Sequence, residues 1–349
     1  MMIFALLLKG VICDYLQDYQ QLESSSICPK YSCAISSIKK PFSNSCVMEY
    51  SSTQYYLWQC PEESTANYCN TTSFSCQVPP ATVKISYVGE SCTESADCYL
   101  SSCLKETCRG TAQNKTCVSH EQCDIGLRCN SGNFTCQPQI PVGGEGCRSY
   151  LDCVNWATCN LTYSSQRGIC VEYSSLPIGS YVTDCIGTFS YMCASGYCTK
   201  KYTFASTGIC AKAPVSNSTM PKICSSNTDC IGNVNGISLT SSCVCGYNKY
   251  GNKYCNPFIG DLPGKVMLSS WSKALKTAGK CNTARRSSDG CMKMIGLLKN
   301  TTQATLGFYY YPLYILNDVC IEEIYNKNYY VDYSTSIVLP LMMLALTFY

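Results

Sequence analysis

Thirty-one cysteines and a single histidine decide what chemistry this chain of 349 residues can attempt. Zinc favours C-x2-C pairs or mixed cysteine and histidine ligands, and thiol–disulfide exchange uses C-x-x-C. The sequence contains no C-x2-C, and its one histidine, His120, lies in the stretch VSHEQC. Neither a metal site nor a redox-active pair is expected, and no cofactor. A nucleophile activated by histidine would have to use His120, and no G-x-S-x-G or H-E-x-x-H accompanies it. Glu62 and Glu63, like Glu322 and Glu323, are adjacent rather than facing, so they read as solvated charges and not as a glycosidase pair. No catalytic residue is assigned, and the expectation is a protein that is not an enzyme. Asp97, Asp152 and Asp229, with Gln122 in a fourth copy, stand immediately before the second cysteine of a repeated C-x5-C. They could serve as calcium ligands, but a turn-capping role is favoured.

The cysteines are therefore read as structural half-cystines, which places the chain in an oxidising compartment. One unit holds Cys92, Cys98, Cys103 and Cys108; the next Cys117, Cys123, Cys129 and Cys136; a third Cys147, Cys153, Cys159 and Cys170. Cys185, Cys193, Cys198 and Cys210 form a looser copy, and Cys224 with Cys230 restores C-x5-C before drifting to Cys243, Cys245 and Cys255. Unit starts lie 25, 30, 38 and 39 residues apart, the mark of a tandem array with variable loops. Such a unit cannot bury enough apolar surface to offset chain entropy by itself. Its bridges offset it by restricting the unfolded chain, at roughly 2–4 kcal/mol each. Four cysteines allow three pairings, so connectivity stays open. The C-x-C of Cys243 and Cys245 fits two separate bridges leaving one strand.

These half-cystines need short elements to hold them. The expected fold is small and disulfide-rich: tandem cystine-stapled units of short β-hairpins and loops, with a small helical membrane-proximal domain. Residues 14–80 form an N-terminal unit with six irregularly spaced cysteines, in which Ser51 to Leu57 reads as strand. The tandem repeats occupy 81–255, and 81–90 is expected to lead into them as one strand. The helical domain spans 256–330. Val266, Met267, Trp271, Ala274, Leu275 and Ala278 recur at helical spacing between Pro263-Gly264 and Gly279. Met292, Ile295, Gly296 and Lys299 suggest a second helix behind Cys291, and Asn317 to Asn326 a third. The Trp271 stripe is expected to be core.

Both ends read as processing signals. Met1 to Leu8 is a short apolar run, and residues 1–13 are expected to be a secretory signal cut after Cys13, although Lys9 interrupts the run. That cut leaves 30 of the 31 cysteines, an even number. Residues 331–349 end in IVLPLMMLALTFY, uncharged but short of a bilayer's width, behind a polar stretch. This is the form of a glycosylphosphatidylinositol attachment signal, with Asp332 or Ser334 as the lipidated residue.

Six sequons, at Asn70, Asn114, Asn133, Asn160, Asn217 and Asn300, are candidate glycosylation sites. A net charge of +3 with 14% charged residues excludes nucleic-acid binding as the main activity. The 28 tyrosines, clustered at Tyr55-Tyr56, Tyr309 to Tyr311 and Tyr329-Tyr330, are read as half-buried filler until exposed ones are found.

The array, particularly GESCTESADCYLSSC, is similar to the cysteine-rich N-terminal region of Dickkopf proteins. The whole layout, with its KCNTARRSSDGC block, resembles the lipid-anchored surface proteins of ciliates of the immobilisation-antigen class. That resemblance implies a non-catalytic surface coat protein or antigen in the outer leaflet of the plasma membrane, its repeats a protease-resistant spacer. The alternatives are a cell-recognition, adhesion or ligand-binding receptor module with an extracellular protein or carbohydrate partner, and a secreted rather than anchored chain. It does not imply Wnt antagonism, because no counterpart of the second Dickkopf domain follows.

Overall fold

The computed structural model describes residues 27–309, apart from 62–63, 71–72, 79–84, 162–166, 187, 201–206 and 247–248. The expected signal segment, the third helix at 317–326, the anchor residues Asp332 and Ser334, and Glu62, Glu63, Glu322 and Glu323 lie outside the described residues, as do Tyr310, Tyr311, Tyr329 and Tyr330. The fold is disulfide-rich, with short β-hairpins and a small helical region.

One pairing rule builds the array. In every unit the first cysteine bonds the third and the second bonds the fourth: Cys92–Cys103 with Cys98–Cys108, Cys117–Cys129 with Cys123–Cys136, and Cys147–Cys159 with Cys153–Cys170. Cys185–Cys198 with Cys193–Cys210, and Cys224–Cys243 with Cys230–Cys255, obey it too. So do Cys46–Cys69 and Cys60–Cys76, which makes the N-terminal region another copy of the same frame with a longer first loop. We number these units 1 to 6 from the N-terminus.

The backbone repeats with the sulfurs. The third and fourth cysteines always face each other across an antiparallel hairpin, as Cys69 and Cys76, Cys103 and Cys108, Cys129 and Cys136, Cys159 and Cys170, Cys198 and Cys210, and Cys243 and Cys255. Ahead of the first cysteine the chain turns, and an N–H there donates to the fourth cysteine's carbonyl: Gly89 to Cys108, Asn114 to Cys136, Gly143 to Cys170, Gly179 to Cys210, all within 2.8 Å. All four donors have positive φ. In unit 6 the position three before the first cysteine, the donor's place in units 2 and 3, is Pro221, which has no N–H to give.

This turn also corrects the strand expected over 81–90. Among the described residues of that stretch only Ser86 pairs, in an isolated bridge with Cys98, before Gly89 (φ +96°) turns the chain. Each unit's core is mostly sulfur. In unit 3 the four buried half-cystines have only Leu127 packed against them, so the bridges do what an aliphatic core does in a larger domain.

Helix α1 spans Leu262–Thr277, with Pro263 in its first turn, where the missing N–H costs nothing. It buries Gly264, Met267, Leu268, Ala274 and Leu275 along one face. The second helix expected behind Cys291 is two. Helix α2, Asp289–Met294, stops because Gly296 (φ +73°) turns back, its N–H bonding the Lys293 carbonyl and that of Leu297 the Met292 carbonyl. That pair of bonds is a Schellman cap, and Leu297 packs against the apolar cluster that holds Met292. Helix α3, Leu298–Tyr309, then runs against α1, and Trp271 Nε1 donates to Thr305 Oγ1 at 2.9 Å. Trp271 packs in two apolar clusters, so its stripe is core, as expected, apart from Val266, which is 45% exposed.

The helical region is a hub on which the units dock. The Cys281–Cys291 bridge closes a loop whose side chains reach backbone carbonyls of units 3 and 4. Asn282 Nδ2 donates to His120 and Cys123 at 3.0 and 2.9 Å, and Thr283 Oγ1 to Leu151 at 2.8 Å. Arg286, 1% exposed, donates to the carbonyls of Val154, Ala157, Tyr150 and Thr283. Asn155 of unit 4 returns two bonds, to Ala278 at 2.6 Å and Cys281 at 2.9 Å. The Arg285 guanidinium lies 3.8 Å over the Tyr87 ring of unit 2. Unit 5 packs Tyr197 on Met267 and Leu268, and Ser216 of unit 6 holds Asp261, just before α1. Unit 1 is tied to unit 6 by Cys28–Cys245, across 217 residues. Cys243 and Cys245 thus send separate bridges from one strand.

Candidate functional site

Two kinds of place could carry function: the repeated turns that hold the candidate polar residues, and a groove where the hub meets units 5 and 6.

In the turns the recurrent side chain before the second cysteine is a cap. Asp97 Oδ2 accepts from the N–H groups of Thr93 and Glu94 at 2.7 and 3.1 Å; Asp229 Oδ2 accepts from Ser225 and Ser226 at the same two distances. Asp152 Oδ2 accepts from Arg148 and Ser149, and Gln122 Oε1 from Val118. A short 3-10 turn sits inside each loop, so a side chain at that one position closes the same ring in four units. The hydroxyl and N–H of Ser225, with the N–H of Ser226, hold the Asp229 pKa down to about 2. Asp152 adds an ion pair with Arg128 at 2.8 Å, both largely buried. Unit 5 departs from the pattern: Met192 fills the position, buried, and the carboxylate moves to Asp184, which accepts from Ser190 Oγ.

His120 is part of the docking surface. Its Nδ1 accepts from the Cys129 N–H at 3.3 Å, and burial pushes its pKa below the usual imidazole range. The candidate half-cystines of units 2, 3 and 4 are all oxidised in pairs. In five units the Sγ atoms of three cysteines lie within 4.8 Å of one another, which is the stacking of two bridges. A bridged sulfur has no thiolate to offer a metal.

The sequons differ in setting. Asn114, Asn133, Asn217 and Asn300 are exposed, whereas Asn70 and Asn160 are half-buried. Asn160 Nδ2 donates to the Tyr181 carbonyl at 2.9 Å, and Asn70 Nδ2 to Gln77 Oε1 at 3.1 Å. Among the described residues no helix is long and apolar enough to cross a membrane.

The groove, of about 730 Å³, lies between α1 and the polar edge of units 5 and 6. Such a volume is within the range of small-ligand sites. Leu268 and Ile259, each 8% exposed, make its floor; Ala213 and the exposed Ala194 and Val215 also line it. Its walls carry Lys212, Lys265, Lys273 and Lys276, all exposed, with serine hydroxyls between them. Lys276 pairs with Glu172 at 2.6 Å; no carboxylate lines the groove itself among the described residues. Nearby Asp261 is engaged by the N–H groups of Ser216 and Phe258 at 2.8 Å and by the Ser216 hydroxyl.

Reading the sequence for chemistry missed this groove. A signal was there: Lys265, Ser269, Ser272, Lys273 and Lys276 recur at helical spacing on the face of α1 that the apolar stripe leaves free. Nothing in the spacing brings Lys212 into the same groove. No family profile, curated protein or solved structure matches the chain.

Proposed function

We propose that the protein is a non-catalytic cell-surface glycoprotein, held in the outer leaflet by a glycolipid anchor, whose disulfide repeats act as a protease-resistant spacer or coat. One observation carries this reading: a single double-bridged frame, used six times, with every described cysteine oxidised. Such a frame keeps its loops fixed at both ends while their sequences vary, which suits a surface facing a changing medium. The loops also carry the exposed Asn114 and Asn133 sequons, where glycans would project into water. The Asp332 or Ser334 attachment and the signal segment 1–13 belong to the same proposal, which shares its layout with the immobilisation-antigen class.

Treating intact expressing cells with phosphatidylinositol-specific phospholipase C tests the reading. Release of the protein into the medium is expected; protein already in the medium without enzyme would make it a secreted ligand instead. The second reading, a recognition module with an extracellular partner, is favoured by the lysine-lined groove.

A further inference from the structure

We infer that the groove between α1 and units 5 and 6 binds an anionic oligosaccharide, sulfated or uronate-bearing, an activity beyond the coat reading. Charge comes first. The chain carries +3 in all, yet four lysines converge on this one groove, and among the described residues only Lys276 has a carboxylate partner. That ion pair is exposed and exchanges readily for another anion. A ligand bearing several negative charges would gain from each ammonium without displacing a structural partner.

Shape selects among anions. Lys265 and Lys276 stand eleven positions apart on α1, about 16 Å along a helix, a span suited to a chain of several charged rings. The aliphatic floor fits the C–H face of a sugar ring, and Ser269 and Ser272 offer hydroxyls to its polar edge. A bilayer fits less well, because Leu268 and Ile259 are recessed at 8% exposure and Val215, at 40%, is the one large apolar side chain of the lining that projects. A single-stranded nucleic acid would want aromatic stacking platforms, and no aromatic side chain lines the groove among the described residues.

The full-length protein is titrated with a size-defined heparin octasaccharide by calorimetry at physiological salt. Saturable one-site binding is expected. Lys265→Ala and Lys273→Ala should each weaken it roughly tenfold, as for loss of one charged hydrogen bond. Lys265→Arg and Lys273→Arg should restore it, and Lys115→Ala, the same charge change on an exposed lysine of unit 3, should leave it unchanged. An Asn217→Gln variant removes any glycan carried two positions from Val215 and should bind at least as well. Absence of binding in both the parent and Asn217→Gln would overturn the inference. So would an equal loss in Lys115→Ala, or stronger binding to phosphatidylserine vesicles or polyglutamate than to the octasaccharide.

Discussion

Arg286 Nη1 stands 3.0 Å from the carbonyl oxygen of Ala157, 129 residues earlier in the chain. The same nitrogen also bonds Val154, and the guanidinium uses its other nitrogens on Tyr150 and Thr283. A buried cation is held here by backbone carbonyls rather than by a direct carboxylate, and it joins the hub to unit 4. Arg286→Met should strip those carbonyls of their donor and destabilise the fold by about 3–5 kcal/mol. Arg286→Lys should recover little, because one ammonium cannot reproduce the planar fork. Heat denaturation, with limited proteolysis for cleavage in the 281–291 loop, would show it; parent-like behaviour of Arg286→Met would contradict the docking role.

The Cys28–Cys245 bridge joins unit 1 to unit 6. It is outside the repeated frame, so removing it leaves all six frames able to close. The Cys28→Ser, Cys245→Ser double variant should lose about 2–4 kcal/mol, with protease sensitivity rising first near residues 27–35. Peptide mapping without reduction should recover first-to-third and second-to-fourth pairs in every unit of the variant. Scrambled pairs would mean that the frames depend on the clasp.

The turn caps should rank by burial. Asp97→Ala removes an exposed-loop cap and should cost about 1 kcal/mol. Asp152→Ala also leaves the largely buried Arg128 without its partner and should cost about 3 kcal/mol. Asn at either position should recover part of the loss, since its side-chain oxygen still accepts. Equal losses at the two sites, measured by chemical denaturation, would count against this ranking.

Asp184 gives the stability a pH dependence. Desolvation raises its pKa from 3.8 to about 6, while the Ser190 hydrogen bond opposes the rise. Between those two values the folded chain holds a proton that the unfolded chain has lost. The contribution of this group to stability is therefore largest below pH 4 and falls away as pH rises through 6. Asp289, raised to about 6 by burial, acts in the same direction. Asp184→Asn should raise stability at pH 7 by on the order of 1 kcal/mol, and flatten the profile between pH 4 and 6. A denaturation series across that range would check both; a steeper profile in the variant would refute the assignment.

How much of this was legible in the residues varies with the range of the interaction involved. The C-x5-C spacing marked out units 2, 3, 4 and 6, and the Asp or Gln before the second cysteine of each pointed to the cap, because both are local. The Asn235-Gly236 turn between Val234 and Ile237 was equally local and went unread, though such a pair is a strong hairpin signal. Unit 1 was hidden because the thirteen residues between Cys46 and Cys60 mask its kinship, and only the pairing reveals it.

By itself the sequence determined an oxidised, disulfide-stapled chain of small units with a helical segment, since cysteine content and apolar period are properties of neighbours along the chain. Tertiary structure alone decided which sulfur meets which, that one loop between Cys281 and Cys291 gathers units 3 and 4, and that Lys212 and Lys273 line one groove. Within a unit the paired cysteines stand only 10 to 25 positions apart, but their spacing leaves three pairings open. The docking contacts and the groove join residues from about 60 to 162 positions apart, brought together by packing of the whole hub, which no local pattern encodes.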